Sequence, residues 1–354
     1  MLKRLAGACL LFLIIAICSG CSSLAYYQQA VFGQIELLSK KRDLVEVLSD
    51  VSVPLEVREK LRLAQRLTTF AEARVGLPVG STFDSYADID RPYVVWNVFS
   101  AREFSLTLET YCYPVAGCVA YKGFFEREDA VRFADERKAG GYEVYMGGVT
   151  AYSTLGWFAD PLLNTFIYRA EEALASLIFH ELAHKLLYVS DDTTFNESFA
   201  TTVERYAVRL WLESEGRSQT YQEYLAGQER RQQVIELILK TRNLLAGVYE
   251  ESTSDENRRL AKQKLIAALQ KEYQDISDNW PNGSEFKIWM EQDINNAKLG
   301  AVGAYQQWVP AFEELMKQSV SFDDFVTEAE KIGQLAADER ELRMVSLTSL
   351  HKPM

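Results

Sequence analysis

The segment LASLIFHELAHKLLYV, residues 174–189, carries two of the chain's three histidines four positions apart, with a glutamate beside the first. On a helix, His180 and His184 fall one turn apart on one face, so both imidazoles can meet a single ion. Glu181 lies next to them and reaches a water bound to that ion rather than the ion itself. The rest of the segment is apolar, where an unpaired glutamate is costly. A buried histidine pair explains only part of this pattern, whereas a metal site accounts for all three polar residues. The HExxH spacing reads as a site for one zinc ion, which brings a bound water's pKa toward neutrality, with Glu181 as the general base that takes its proton.

A catalytic zinc usually has three protein ligands and a water. The remaining histidine, His351, lies near the C-terminus in a tail expected to be loose, so the third ligand is expected to be a carboxylate. Glu197 in FNESFATTVE is the leading candidate. The first helix is read as ending near Val189, with Ser190-Asp191-Asp192-Thr193 as a turn and a second helix from Phe195. An antiparallel helix pair then brings His184 and Glu197 to one level. Thr194-Phe195-Asn196-Glu197 also matches a capping box, in which the glutamate only reaches back to a backbone N–H. Glu204 is the rival. It lies two turns further on, about 10 Å along the same face, so both acids cannot serve one ion. Glu204 then orients a ligand histidine or is simply a paired acid.

The chain has 354 residues with 48% hydrophobic and 12% aromatic content, enough for a packed core. Its formal charge of -12 repels phosphate backbones, which argues against nucleic acid as a partner. A basic start, Lys3-Arg4, precedes the apolar run Leu5–Ile17 and then Cys18-Ser19-Gly20-Cys21-Ser22. The run is too short for a comfortable membrane span and reads as a signal peptide over residues 1–20. SGC after an apolar stretch resembles a bacterial lipobox, although Cys18 stands where that pattern usually has Leu. Cys21 would then be lipidated and anchor the chain to the membrane, and several acyl chains would hold it stably. Ser22, rather than Asp, favours the outer membrane, facing the periplasm of a bacterial envelope. With Cys9 and Cys18 removed and Cys21 lipidated, Cys112 and Cys118 remain as an even pair in an oxidising compartment, a plausible disulfide. Closing so short a loop is worth about 2 kcal/mol. A two-thiol metal site is the competing reading, but no second pair completes it.

Along the chain, residues from Tyr26 to Leu77 show helical spacing, and GLPVGSTF breaks it. Residues 80–160 are rich in Val, Tyr, Phe, Trp and Thr. They are read as a small, mostly antiparallel sheet with the helix EDAVRFADERKAG against it and a bend at Gly147-Gly148. Helices are expected near 168–189, 195–214, 220–248, 254–275, 295–318 and 322–343. ERRQQVIELILKTRN is read as a solvated helix face rather than a binding patch. No internal repeat or linker stands out. The expected fold class is α+β with a largely helical C-terminal portion. The expected organisation is one domain over residues 21–354, with its catalytic core at about 80–215 and a helical portion at about 216–354.

HELAH followed by NESFA resembles the gluzincin group of zinc peptidases, whose third ligand is a glutamate on a following helix. The chain more closely resembles the bacterial family of predicted zinc aminopeptidase lipoproteins. That resemblance rests on SYADIDRPYVVWNVFSA, YCYPVAGCVAYKGFF, GGVTAYSTLGWFADP, IFHELAH, FNESFATTVE and NNAKLGAVGAYQQWVPAF, and covers nearly all of the mature chain. It implies a zincin-like fold, zinc on His180, His184 and Glu197, Glu181 as catalytic base, and aminopeptidase activity on peptides. The gap between His184 and Glu197 is shorter than in the wider thermolysin-like pattern. In zincin peptidases an edge strand holds the substrate backbone. GGVTAYSTLGWF is the candidate here, with glycines for close approach, and an ordinary core strand is the alternative. Tyr152 and Tyr305 are candidate donors to the developing oxyanion. Asn295 and Asn296 either serve a polar role or cap the helix that follows. An exopeptidase also needs an acid for the substrate amine, and only Asp88, Asp90 and Asp160 offer themselves. An endopeptidase of the same mechanism, or a non-catalytic zinc-fold lipoprotein that binds an envelope partner, are the alternatives. The oligomeric state is not legible.

Overall fold

The computed structural model describes residues 26–113, 117–151, 159–281 and 286–351. The expected signal peptide and Cys21 lie outside them. Among the described residues no helix is long and apolar enough to cross a membrane. The fold class is α+β, as expected, predominantly helical with small sheets.

The N-terminal part is less uniformly helical than its spacing suggests. Residues 26–39 form helix α1, but Lys41–Asp43 form a short strand, β1. Helices α2 (Leu44–Ser49) and α3 (Leu55–Phe70) follow, and α3 widens into a π turn at Ala71–Val75. Strand β1 pairs antiparallel with β2 (Ser85–Ala87), which pairs in parallel with β8 (Leu162–Leu163). This sheet draws pieces of two or three residues from distant parts of the chain, too short for any periodicity to announce.

The main sheet has the order β6-β3-β7 and is antiparallel throughout. Its central strand β3 (Val95–Arg102) lies between β6 (Lys122–Phe124) and β7 (Tyr142–Val149). Alternate residues of a strand face opposite ways. Val98 joins Phe124, Ala130 and Ala134 on the face covered by α4 (Arg127–Ala139). Phe99 and Ala101 pack on the other face against Ala297 and Ala301 of α11 (Asn296–Gln306). Both faces are covered, which explains why five consecutive residues of the strand, Asn97 to Ala101, are buried whichever way they face. The expected bend at Gly147-Gly148 is absent, because β7 runs straight through both and pairs them with Asn97 and Trp96. Gly148 instead makes room for a ring. A Cβ there would lie 2.5 Å from Cγ of Tyr93.

Strands β4 (Tyr111–Tyr113) and β5 (Gly117–Val119) form a separate hairpin in which Cys112 and Cys118 lie opposite one another and are joined as a disulfide. This agrees with the expected pairing.

The helical layers surround α6 (Glu171–Leu186) and α7 (Thr193–Ser214), which pack along their lengths. Leu174, Ile178, Phe179 and Leu182 of α6 are fully buried. From the other side α3 packs on α6, with the ring of Phe70 6.2 Å from that of Phe179. Phe199 of α7 stacks on Phe325 at 5.7 Å, and Phe312 meets both edge-on. The short α5 (Asn164–Ile167) leads into α6. Helices α8 (Ser218–Glu250) and α9 (Asp255–Ser277) form a long hairpin with a core of its own around Val234, Ile238, Leu245 and Leu269. The short α10 (Lys287–Glu291) closes that part.

Two expected long helices are broken. The stretch 295–318 divides into α11 and α12 (Val309–Gln318), with Pro310 at the start of α12, where its missing N–H does no harm. The stretch 322–343 divides into α13 (Phe322–Gly333) and α14 (Ala337–Leu350). Arg340 fastens that break by donating from Nη1 to the carbonyls of Gly333 and Leu335. The C-terminal His351 is not in a loose tail. It caps α14 and sits half-buried, its Nε2 3.8 Å from Glu313.

Candidate metal centre

Helix α6 begins with Glu171 and Glu172 and ends with His184 and Lys185, charges that suit its dipole at both ends. Its apolar face is committed to the core, which leaves His180 and His184 on the remaining face with ring centroids 4.9 Å apart. After Leu186 the chain turns sharply. The side chain of Asn196 grips the backbone of Val189 through two 2.7 Å hydrogen bonds, one to its N–H and one to its carbonyl. Asp192 caps α7 by accepting from the N–H of Phe195, and its other oxygen accepts from Nε of Arg340 at 2.7 Å. The first turn of α7 is thereby clamped to the end of α6, which is how so short a connection works.

The disulfide hairpin braces the same turn. The N–H of Cys118 donates to Asp191 at 2.6 Å. Gly117 has φ +71°, and a Cβ there would lie 2.3 Å from Oγ of Ser190, so only glycine fits.

Glu197 points back from α7 to the histidines. With Asp192 as the cap, the Thr194-to-Glu197 capping box does not form. Oε2 of Glu197 lies 3.3 Å from Nε2 of His180 and 3.7 Å from Nε2 of His184. Donor atoms of the three residues all lie within 4.8 Å of one another. Ligands about 2.1 Å from a tetrahedral ion lie about 3.4 Å apart, so these spacings fit one ion, and the His-His-Glu donor set suits a divalent metal. The group could hold a metal.

Glu204 is on the far side of the first imidazole. Its Oε2 lies 3.1 Å from Nδ1 of His180, and its other oxygen accepts from the hydroxyl of Ser176. It therefore orients His180 and leaves Nε2 free to face Glu197. Nδ1 of His184 is buried with no such partner.

The electrostatics follow from burial and pairing. Burial works against ionisation of Glu197, yet the charge of His184 and the hydrogen bond to His180 outweigh it and bring the carboxyl down to about 2. Burial likewise opposes charge on Glu204, but its bonds to His180 and Ser176 prevail and lower it. Burial disfavours a proton on His180, but its bonds to Glu197 and Glu204 raise it well above 6.5. Glu181 differs, because burial raises its carboxyl while the histidines only partly pull it back.

Glu181, His180, Glu197 and Glu204 open into a cleft of about 570 Å³ that Tyr305 also lines. Burial pushes the phenol of Tyr305 well up, and neighbouring Tyr121 and the charges of Glu197 and Glu181 reinforce it. Tyr121 is raised in the same way, first by burial and then by Glu197. Nothing local in the sequence marked Tyr121. It follows the disulfide hairpin and is brought to the site by the fold. Tyr152 lies outside the described residues, as does much of the candidate edge strand. The described end of that region includes Thr150, whose hydroxyl accepts at 2.9 Å from Nη2 of Arg169, a residue of the cleft lining.

The two asparagines at the start of α11 are structural. Asn295 caps that helix, and Asn296 binds the carbonyls of Arg102 and Glu103. Asp88 accepts from the N–H of Asp90, whereas Asp160 is buried close enough to raise Glu181. Arg230 and Arg231, read as part of a solvated face, line the cleft with Arg169 and Arg205. Their helical spacing with Tyr224 was visible, but which face of α8 turns inward was not.

No curated protein and no solved structure matches the chain. Residues 25–344 match the sequence profile of a family described as putative aminopeptidase. That span includes every donor of the centre, and the chain therefore belongs to the putative aminopeptidase family.

Proposed function

We propose that the chain is a zinc-dependent peptidase of the gluzincin kind with a zincin-like fold, organised as one domain and anchored to the bacterial envelope through Cys21. The observation that carries this reading is the convergence of His180, His184 and Glu197 beside a carboxylate, Glu181, that bonds to neither imidazole. His180, His184 and Glu197 would hold the ion. Bound zinc supplies Lewis acidity, which activates water and polarises a carbonyl.

The remaining roles belong to the chain's own groups. Glu204 holds His180 in the tautomer that keeps Nε2 as a donor pair for the ion. Glu181 opens to the cleft and takes a proton from the attacking water, then passes it to the leaving amine. Its raised basicity suits both steps. Tyr305 stays protonated and donates to the carbonyl oxygen as charge develops there.

The test uses the chain from Ser22 onward, loaded with zinc and given peptide reporters with free or blocked N-termini. Hydrolysis that falls by at least a hundredfold in Glu181→Gln, at unchanged zinc content, is expected. Cleavage of free-amine peptides alone assigns aminopeptidase action, and cleavage of blocked peptides assigns endopeptidase action. Full zinc with no hydrolysis of any peptide would refute the enzyme and leave a binding lipoprotein.

A further inference from the structure

Helix α1 is held to the fold by one side only. The phenol oxygen of Tyr26 lies 3.0 Å from that of Tyr113, and its ring meets Phe124 edge-on at 5.6 Å. Oε1 of Gln29 accepts from the N–H of Phe125 at 3.1 Å. Gly33 packs so closely on Phe125 that a Cβ there would lie 2.1 Å from its Cγ. Glu36 pairs with Arg91 at 3.5 Å, and Leu37 is buried. These five residues stand at i, i+3, i+7, i+10 and i+11, one face of a helix, so α1 cannot roll about its axis.

The opposite face is turned outward, and it is largely apolar. Its exposed residues are Tyr27, Gln28, Val31, Phe32, Ile35 and Ser39. Val31 is 55% exposed, Phe32 61% and Ile35 54%. A helix that packs one stripe on a core ordinarily gives water a polar face. Single exposed apolar side chains need no explanation, but Tyr27, Val31, Phe32 and Ile35 stand at i, i+4, i+5 and i+8 and form one patch. None of the six residues is charged, on a chain whose formal charge is -12. The charges nearby are already paired, Lys40 with Glu36 at 2.9 Å and Arg42 with Glu46 at 2.9 Å.

The occupant of this face follows from what precedes it. Cys21 stands five residues before Tyr26, a stretch that spans at most about 18 Å. With acyl chains on Cys21, the patch is held beside the surface of the bilayer that takes them up. An uncharged helix face carrying two aromatic rings suits the boundary between headgroups and acyl chains. It also lets an acidic protein meet anionic phospholipid, which repels a face that bears carboxylates.

Resting on the anchor reading, we infer that α1 lies flat on the phospholipid surface and buries Tyr27, Val31, Phe32 and Ile35 at the level of the headgroups. The helix is a second membrane contact beside the lipid anchor. Its inner face is fixed to Phe124 of β6 and to Phe125, so this contact orients the whole body on the membrane.

The chain from Ser22 onward keeps every described element and carries no acyl group, so it tests the helix apart from the anchor. It is mixed with vesicles of phosphatidylethanolamine and phosphatidylglycerol. An environment-sensitive fluorophore on Gln28→Cys leaves the four apolar residues in place. Sedimentation with the vesicles and quenching of the fluorophore by brominated acyl chains are expected. Phe32→Ser with Ile35→Ser is expected to weaken partition by about tenfold or more, and thermal melts check that both proteins are folded. The uncharged face predicts equal partition at low and high salt. Partition that survives the serine pair, or that salt abolishes, overturns the inference. If the chain from Ser22 partitions too weakly to measure, the lipidated chain purified from membranes decides. Quenching of its fluorophore from the lipid supports the inference, and quenching only by iodide from the water overturns it. Self-association that the serine pair abolishes, without vesicle binding, gives the face to a second copy and also overturns it. Vesicle binding by α1 in a protein whose Cys21 carries no lipid would remove the anchor reading alone, and a lipidated Cys21 with α1 in water would remove only this inference.

Discussion

The roles of Glu197 and Glu204 can be separated by how much metal affinity each removal costs. An imidazole coordinates through one nitrogen at a time. Glu197 faces Nε2 of both histidines at 3.3 and 3.7 Å, whereas Glu204 faces Nδ1 of His180 at 3.1 Å. Glu204 therefore supports a ligand from behind. Loss of such a support weakens metal binding about 10–100-fold, or about 1.4–2.7 kcal/mol. Zinc sites with four ligands bind with about 10–16 kcal/mol in all, so each ligand accounts for about 2.5–4 kcal/mol, a factor of about 70–900. Glu204→Ala is thus expected to retain zinc through dialysis and to show moderately weaker affinity. Glu197→Ala is expected to lose it. Competition with a chromophoric chelator at neutral pH, with metal content measured after dialysis, gives both numbers, and thermal melts of the metal-free proteins check folding. If Glu204→Ala weakens binding more than Glu197→Ala, the ligand assignment is wrong and the two acids exchange roles.

Three further outcomes follow from the fold. Replacing Cys112 and Cys118 by serine should destabilise the protein by about 2 kcal/mol in denaturant unfolding, and should speed proteolysis at the α6–α7 turn, because Cys118 bonds to Asp191 there; unchanged stability and protection would show that the hairpin braces nothing. Phe199→Ala removes a ring with no exposure that stacks on Phe325, so a loss of about 3–5 kcal/mol is expected on chemical denaturation, and a loss below about 1 kcal/mol would contradict this packing. Lys298 is 1% exposed, and burial brings its ammonium down to about 8 although Trp289's carbonyl accepts from it at 2.7 Å. A base whose folded pKa is lowered costs the folded state most below that pKa, and the cost is relieved as pH rises toward the unfolded value of 10.5. The stability of the native protein relative to Lys298→Met should accordingly rise by about 2–3 kcal/mol between pH 7 and pH 10, and a difference independent of pH would refute it.

The chain order of amino acids already determined the heart of the centre. His180, Glu181 and His184 stand within one turn of one helix, and the 3.6-residue period alone places them together. Glu197 was also legible, because a short connection between two helices leaves few ways to pair them. The β3 and β7 strands, α4 and the disulfide are legible for the same reason, since their signals lie within a few neighbouring residues. Only the tertiary structure decided what depends on contacts between distant segments. It broke the helix pairs at Pro310 and Gly333, inserted β1 among helices, and packed His351 against Glu313. It set Glu204 behind His180, carried Tyr121 to the His-His-Glu group, and turned Arg230 and Arg231 of α8 into the cleft. Local spacing states which residues share a face, whereas the surface that face meets is settled by the free energy of packing the whole chain.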